Sequence, residues 1–269
     1  MRVSKNAYYH WLNNKEILKV KSTTSILKER IEAIFIKNRQ IYGSHRIQKK
    51  LEREGLIYSR SYISLLMKQM GLKSVLKRKF VSTTDSNHTL PIAVNQLNRE
   101  FSSTKIGEKW VSDITYIRVN DNWNYLTTII DLADRKVVGW SMSNTMTAQL
   151  VIDALHHAII DRKPVDGLIF HSDRGSQYAS IDFRKMLSNC KIIQSMSGKG
   201  NCYDNAVAES FFHTLKTELV YWEKYKTRND AKSSIFQFIE GFYNRRRRHS
   251  YLNYFSPFDF ELLYFKFVA

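Results

Sequence analysis

The sequence predicts an α/β domain built on a mixed, five-stranded sheet flanked by helices, with a small all-α module ahead of it. Three observations lead there. Residues 25–70 carry apolar residues at helical spacing. From residue 108 the apolar period shifts to two. After about residue 145, strands alternate with helices, the pattern of a sheet covered on both faces.

The helical module comes first. In "TSILKERIEAIFIKNRQ", Leu27, Ile31, Ile34 and Phe35 share one face. In "SHRIQKKLEREG", Ile47 and Leu51 are four apart, between Gly43 and Gly55. In "SRSYISLLMKQMG", Ile63, Leu66, Met67 and Met70 follow i, i+3, i+4, i+7. Ser59 or Ser61 is a suitable N-cap there, and Gly71 a suitable stop. Three short basic helices predict a helix-turn-helix-like module over residues 25–72, after an N-terminal segment 1–24. Residues 73–105, basic and then rich in Ser and Thr, read as a linker.

The α/β pattern occupies residues 106–225. "KWVSDITYIRV" alternates, and "NYLTTIIDLADRKVVGWSMS" reads as two strands joined at Ala133–Asp134. An amphipathic helix follows in "TAQLVIDALHHAIIDR". Then come a strand in "GLIFHSD", a helix around "SIDFRKMLSNC", a strand in "KIIQSMS" and a helix through "NAVAESFFHTLKTE". Residues 226–269 read as a helical basic tail, with "NDAKSSIFQFIEGFYNRRRRHS" as its helix and Arg245–Arg248 on all of that helix's sides.

Charge placement narrows the function. The chain carries +17, and residues 1–80 hold +14 of it, with 19 Lys/Arg against 5 Asp/Glu. Residues 81–243 are neutral, and residues 244–269 add +3. A positive field concentrated in one third of the chain points to a polyanion, and nucleic acid fits it best. No apolar run reaches 18 residues and the N-terminus lacks an apolar h-region, so no membrane span or secretory leader is expected. Cys190 and Cys202 offer neither a disulfide framework nor a zinc spacing, and read as reduced thiols.

Three acids stand out from polar surroundings. Asp113 interrupts an apolar strand, Asp173 ends the run "LIFHSD", and Glu209 lies in the first turns of a helix. Acids at a strand middle, a strand end and a helix start can converge at one sheet edge. Converging carboxylates repel and call for a cation. Oxygen ligands without Cys suit Mg²⁺ or Mn²⁺, and two such ions suit phosphoryl transfer. On the helix, Asn205, Glu209 and Lys216 fall on nearly one line. They form a stripe of amide, carboxylate and cation opposite the packing stripe Ala208, Phe211, Phe212, Leu215 and Leu219. On this reading Asp204 belongs to the helix start and Glu218 to the surface. His171 precedes Asp173 by two residues and His213 lies near the polar stripe, so both are supporting candidates. His156, His157, Trp110 and Trp140 read as structural.

Four segments carry a resemblance: "KWVSDITYI", "HSDRGSQY", "GNCYDNAVAESFFHTLKTE" and "YNRRRRHSYLNYFSPFDF". They resemble the landmark segments of DDE-type insertion-sequence transposases, specifically the second-frame product of the two-frame bacterial family in the retroviral integrase superfamily. The resemblance covers about residues 20–265. It implies a ribonuclease H-like catalytic core and maps the triad onto Asp113, Asp173 and Glu209. The 35 residues between Asp173 and Glu209 are the spacing that names the group. The basic residue seven after the Glu maps onto Lys216.

The resemblance further implies Mg²⁺ or Mn²⁺ as a pair of ions, and strand cleavage and strand transfer on DNA. Its DNA partners would be the element's terminal inverted repeats and target DNA, within a self-associated synaptic complex. The upstream-frame product would be a further partner, because this N-terminus shows no heptad pattern and the family's leucine zipper comes from that frame. Location would be cytoplasmic, at a bacterial nucleoid, with no membrane role. DNA contacts are expected from Lys216, Asn205, Lys73, Lys77, Arg78, Lys79, Arg245, Arg246, Arg247 and Arg248. The alternatives are a metal-dependent nuclease that does not join ends, and a non-catalytic DNA-binding regulator of the fused transposase.

Overall fold

The computed structural model describes residues 4–6, 8–9, 23–74, 90–198 and 202–268. The chain divides into two compact units, Met1–Val75 and Leu76–Ala269. Among the described residues, no helix is long and apolar enough to cross a membrane.

In the first unit, helices α1 (Thr23–Lys37), α2 (Ser44–Arg53) and α3 (Arg60–Gln69) bury the stripes the sequence marks. Leu27, Ile31, Ile34 and Phe35 meet Ile47, Leu51, Ile63 and Leu66 in one core. Ser59, rather than Ser61, caps α3: its hydroxyl accepts the Tyr62 N–H at 3.2 Å. Arg30 and Glu54 form an ion pair across the helices at 2.6 Å.

The second unit is the α/β domain. Strands β1 (Lys109–Val119), β2 (Asn122–Asp131) and β3 (Val137–Ser143) form an antiparallel meander. Strands β4 (Ile169–Ser172) and β5 (Ile193–Met196) add in parallel on the other side of β1, giving the order β3-β2-β1-β4-β5. Helices α4 (Ala148–Arg162), α5 (Ser176–Ala179) and α6 (Ile181–Asn189) supply the crossovers. Their apolar faces close a core around Trp110, Phe170, Tyr178 and Phe183. Against the sheet also packs α7 (Ala206–Glu218), whose buried residues include Ala208, Phe211, Phe212 and Leu215, the predicted packing stripe.

Two segments are tied to the domain by contacts the sequence does not mark. Residues 90–105 are not a free linker. Leu97 is buried, and the N–H groups of Gln96 and Leu97 both donate to Ser195 Oγ on β5. The rest of the predicted linker, residues 75–89, lies outside the described residues. The C-terminal segment, read from the sequence as a helical basic tail, packs on the domain. Helix α8 (Arg228–Phe236) continues as a π-helix, Gln237–Tyr243, and "SPFDFELLYF" forms a further helix, α9 (Pro257–Val268). Asn244 pairs with both the N–H and the C=O of Val137, so this segment covers part of the exposed edge of β3.

Gly139 shows how tightly α4 lies on the sheet. A Cβ there would intrude on the carbonyl oxygen of Ala154 and stand 2.8 Å from Ala158 Cβ. Both neighbours belong to the helix body and cannot swing away. Gly139→Ala is expected to cost at least about 2 kcal/mol of unfolding free energy, read from urea denaturation. An unchanged midpoint would mean that the helix can move off the strand freely.

Candidate active site

Parallel pairing decides where two of the acids meet. On β1 and β4, Val111 is in register with His171. Two residues further along each strand are Asp113 and Asp173, so the two acids emerge side by side. The Ile114 N–H donates to Asp113 Oδ1 at 2.8 Å. Asp173 is turned by the start of "RGSQ": its Oδ1 accepts the Gly175 N–H at 3.0 Å. A Cβ at Gly175 would press against that oxygen and against Gln177 Oε1, each at 3.0 Å, so a larger residue there would require the Asp173 carboxylate and the Gln177 side chain to shift.

Glu209 arrives on α7. The helix is tied to β1 by Asn205, the residue before it, whose Nδ2 donates to the Ser112 carbonyl at 3.2 Å. That bond sets the first turn of α7, with its positive dipole end, beside Asp113. Below lies a neutral layer. The Tyr178 hydroxyl shares hydrogen bonds with Ser112 Oγ at 2.8 Å and Thr127 Oγ1 at 3.2 Å.

The electrostatics register the crowding. Burial raises the Asp113 carboxyl well above the usual range, and the charges of Asp173 and then Glu209 raise it further. The Ile114 hydrogen bond and Lys216 oppose them. Partial burial also raises Glu209. Lys216 is lowered by burial and held up by Asp113. The Tyr178 hydroxyl is driven well above its normal value by burial and by both aspartates.

The arrangement fits divalent cations by the chemistry of its donors. Three carboxylates in one another's field carry only oxygen ligands and an unneutralised charge. Two buried polar atoms, Asn205 Oδ1 and Thr128 Oγ1, have no partner among the described residues. Thr128 pairs directly across from Asp113. Such atoms are positioned for water or a hydrated ion. Among the described residues, no three His, Cys, Asp or Glu side chains are gathered tightly enough to hold one ion as they stand.

The other expected site residues divide. Lys216 faces the acids. Asn205 does not face DNA, because it is buried and committed to Ser112. His171 is fully buried, its Nδ1 2.8 Å from Ser195 Oγ and its Nε2 3.3 Å from Ser197 Oγ. It braces β4 against β5 and does not touch the acids. His213 is exposed on α7, and Lys73 is exposed in the first unit. Lys77, Arg78 and Lys79 lie outside the described residues. The four arginines follow a turn rather than a helix. Arg245 and Arg246 are exposed, whereas Arg247 is buried and grips Glu218 through two hydrogen bonds of 2.8 and 2.9 Å. Arg247 is therefore no DNA contact, and Glu218 is no surface acid. Arg248 is tied to Asp259 at 2.7 Å. Sequence reasoning missed Tyr178, Ser112 and Gly175; the "RGSQY" turn signal hinted at Gly175 and Tyr178, and nothing marked Ser112.

Residues 103–202 match the family described as Integrase core domain, and residues 190–257 match a second family of that description. Residues 24–80 match the HTH-like domain. The chain is similar to "Insertion element IS600 uncharacterized 31 kDa protein" of Shigella sonnei, 41% identical over 99% of this chain and 98% of that one. It is similar to "Transposase InsF for insertion sequence IS3A" of Escherichia coli (strain K12), 37% identical over 97% of this chain and 91% of that one. Among solved structures, a simian T-cell lymphotropic virus intasome gives a TM-score of 0.48 at 16% identity, covering 75% of this chain and 66% of that one. The HTLV-2 integrase catalytic core domain in complex with magnesium gives 0.44 at 16% identity, covering 57% and 95%.

Two outcomes test these placements. Burial lowers the His171 imidazole to about 4 from 6.5, so folding favours its neutral form. Its stabilising contribution is full above pH 6.5 and fades as pH falls toward 4. About 2 kcal/mol should be lost through this group by pH 5, and His171→Gln should flatten that part of the stability curve. A variant curve parallel to the parent's would refute the buried neutral state. Separately, Arg247→Ala strands Glu218 and is expected to cost about 3 kcal/mol in unfolding free energy. Its affinity for DNA, measured on the folded fraction, should stay unchanged.

Proposed function

The chain belongs to the insertion-sequence transposases of the retroviral integrase superfamily, and from that premise we propose that Asp113, Asp173 and Glu209 are its catalytic triad. The protein is a DNA transposase, a polynucleotidyl transferase of a divalent-metal-dependent family. The observation that carries the residue assignment is convergence. Carboxylates from β1, from the end of β4 and from the start of α7 lie in one another's field: burial raises Asp113 most, and the charges of Asp173 and then Glu209 add to it.

On this reading the three acids would hold two ions, Mg²⁺ or Mn²⁺. Once bound, these supply Lewis acidity toward the attacking and leaving oxygens of a phosphodiester. The chemistry is an in-line displacement at phosphorus. A water oxygen, and in joining a 3′ hydroxyl oxygen, forms the new P–O bond as the old P–O3′ bond breaks. The leaving 3′ oxygen ends protonated, and no protein–DNA covalent bond forms. Lys216 contributes a cation on the acids' side of α7, suited to a non-bridging phosphate oxygen. The Gly175 and Ile114 N–H groups fix the Asp173 and Asp113 carboxylates. Asn205 fixes the helix that presents Glu209.

DNA is gripped by the basic helical module, by Lys73 and by the exposed Arg245 and Arg246, mainly at phosphates, so binding should be strongly salt-dependent. Lys77, Arg78 and Lys79 would extend that grip. The DNA partners on this reading are the terminal inverted repeats and target DNA, in a multimeric synaptic complex at the bacterial nucleoid. The upstream-frame product completes the active assembly.

The test uses pre-cleaved element-end DNA with Mn²⁺, with and without the upstream-frame product. Joined product is expected, and Asp173→Asn or Glu209→Gln should lower it by at least about 100-fold. The same variants should lose the rise in unfolding temperature that Mn²⁺ gives the parent. Undiminished joining in either variant sinks the triad. Cleavage without joining would indicate a plain nuclease, and binding alone a regulator.

A further inference from the structure

Asp204 is a buried acid five residues before Glu209, in the short 3₁₀ turn Cys202–Asn205 that runs into α7. Its Oδ1 accepts Arg99 Nε at 2.9 Å. Its Oδ2 accepts the Gly198 N–H at 2.9 Å and Asn95 Nδ2 at 3.2 Å. None of these donors belongs to α7, so Asp204 does not serve as a cap of that helix. It joins the two ends of the loop between β5 and α7 and ties them to the segment that enters the domain. Burial works to raise its carboxyl, but hydrogen bonds from Arg99 and Gly198 outweigh that and hold it below the usual range. The group is therefore ionised, and its bond to the guanidinium is charge-assisted.

The donors are themselves held. Asn95 Oδ1 accepts the Asn98 N–H at 3.0 Å, closing a turn in which Asn98 and Arg99 stand at φ 45° and 62°. Non-glycine residues stay in that left-handed region only where their surroundings fix them. Arg99 is thus aimed at a carboxylate 105 residues along the chain. From Asp204 the path to the acids is covalent and short. The next residue, Asn205, is the N-cap of α7 and bonds the Ser112 carbonyl, beside Asp113. Glu209 lies in the first turn of the same helix.

We propose that Asp204 is a positioning residue for Glu209: its latch to Arg99, Asn95 and Gly198 sets the start of α7, and with it the Glu209 carboxylate, against Asp113. The proposal rests on the triad reading, since it gives Asp204 no contact with metal or DNA and acts only through Glu209. Partners that orient metal-binding side chains from behind govern affinity for the ion, and their loss costs about 10- to 100-fold.

The test measures Mn²⁺ binding to the full chain without DNA, as the Mn²⁺ concentration that gives half of the maximal rise in unfolding temperature. Asp204→Asn keeps the shape, removes the charge and turns an amide N–H₂ toward donors. It is expected to raise that concentration about 10-fold. Joining of saturating pre-cleaved ends should slow by about the same factor, while the DNA concentration for half-maximal rate changes less than about 2-fold. The Arg99 side chain is 55% exposed, so its variants should fold even if Asp204→Asn does not. Arg99→Ala should raise the half-saturating Mn²⁺ at least about 3-fold, and Arg99→Lys, which keeps the charge, by less. A lower unfolding temperature with an unchanged half-saturating Mn²⁺ would overturn the proposal and leave Asp204 a loop closure only. So would a loss in Arg99→Lys as large as in Arg99→Ala. Glu209→Gln separates the two readings. If it keeps the parent's Mn²⁺ response, the triad fails. If it loses the response while Asp204→Asn and Arg99→Ala match the parent, the latch alone is refuted.

Discussion

Mutual repulsion among three carboxylates is the constraint around which the second unit is organised. Asp113 is raised by its own burial and then by Asp173 and Glu209. A chain relaxing freely would separate these charges. They stay together because the elements that carry them are fixed elsewhere: β1 and β4 by parallel pairing, α7 by its apolar stripe and by the Asn205 bond to Ser112. Charge held together in this way destabilises the protein alone, and on the proposed reading a bound cation would relieve it. This is the usual conflict between folding stability and function.

The surrounding layer is neutral by design of its hydrogen bonds. Tyr178, Ser112 and Thr127 satisfy one another beneath Asp113 and add no charge. His171 lies within two residues of Asp173 yet is held uncharged between Ser195 and Ser197. Ser195 is shared further, since it accepts the N–H groups of Gln96 and Leu97. One hydroxyl on β5 thus links the segment entering the domain to the strand that positions Asp173.

At the far side of the sheet the C-terminal segment works by the opposite principle. Besides the buried apolar residues Ile235, Phe238, Ile239 and Phe242, it is held by paired charges. Arg247 grips Glu218, Arg248 meets Asp259, and Glu261 on α9 pairs with Lys136 and Arg162. Arg162 is also paired with Asp134, whose carboxyl burial raises to about 7. Buried pairs of this kind add little net stability but punish any misplaced partner. They therefore suit a segment that must settle in one position against β3 and α7.

Much of this was legible in the chain. Apolar patterning located all five strands and the longer helices as far as α8, because the pattern of a half-buried element is a local property; it did not mark the short α5 or the C-terminal α9. The acids at 113, 173 and 209 stood out because each interrupts or ends an apolar run. What the chain concealed was the fate of its polar groups. Arg247 reads as one more arginine in a basic run, and its partner Glu218 is 29 residues away. Asn205 reads as part of a polar stripe, and its partner Ser112 is 93 residues away. Sequence by itself determined the elements, the charge distribution and the spacing of the acids, all set by near neighbours. Only the tertiary structure decided which charges and amides are consumed in holding the fold and which remain for a ligand, because burial and hydrogen-bond partners are assigned by contacts distant in the chain.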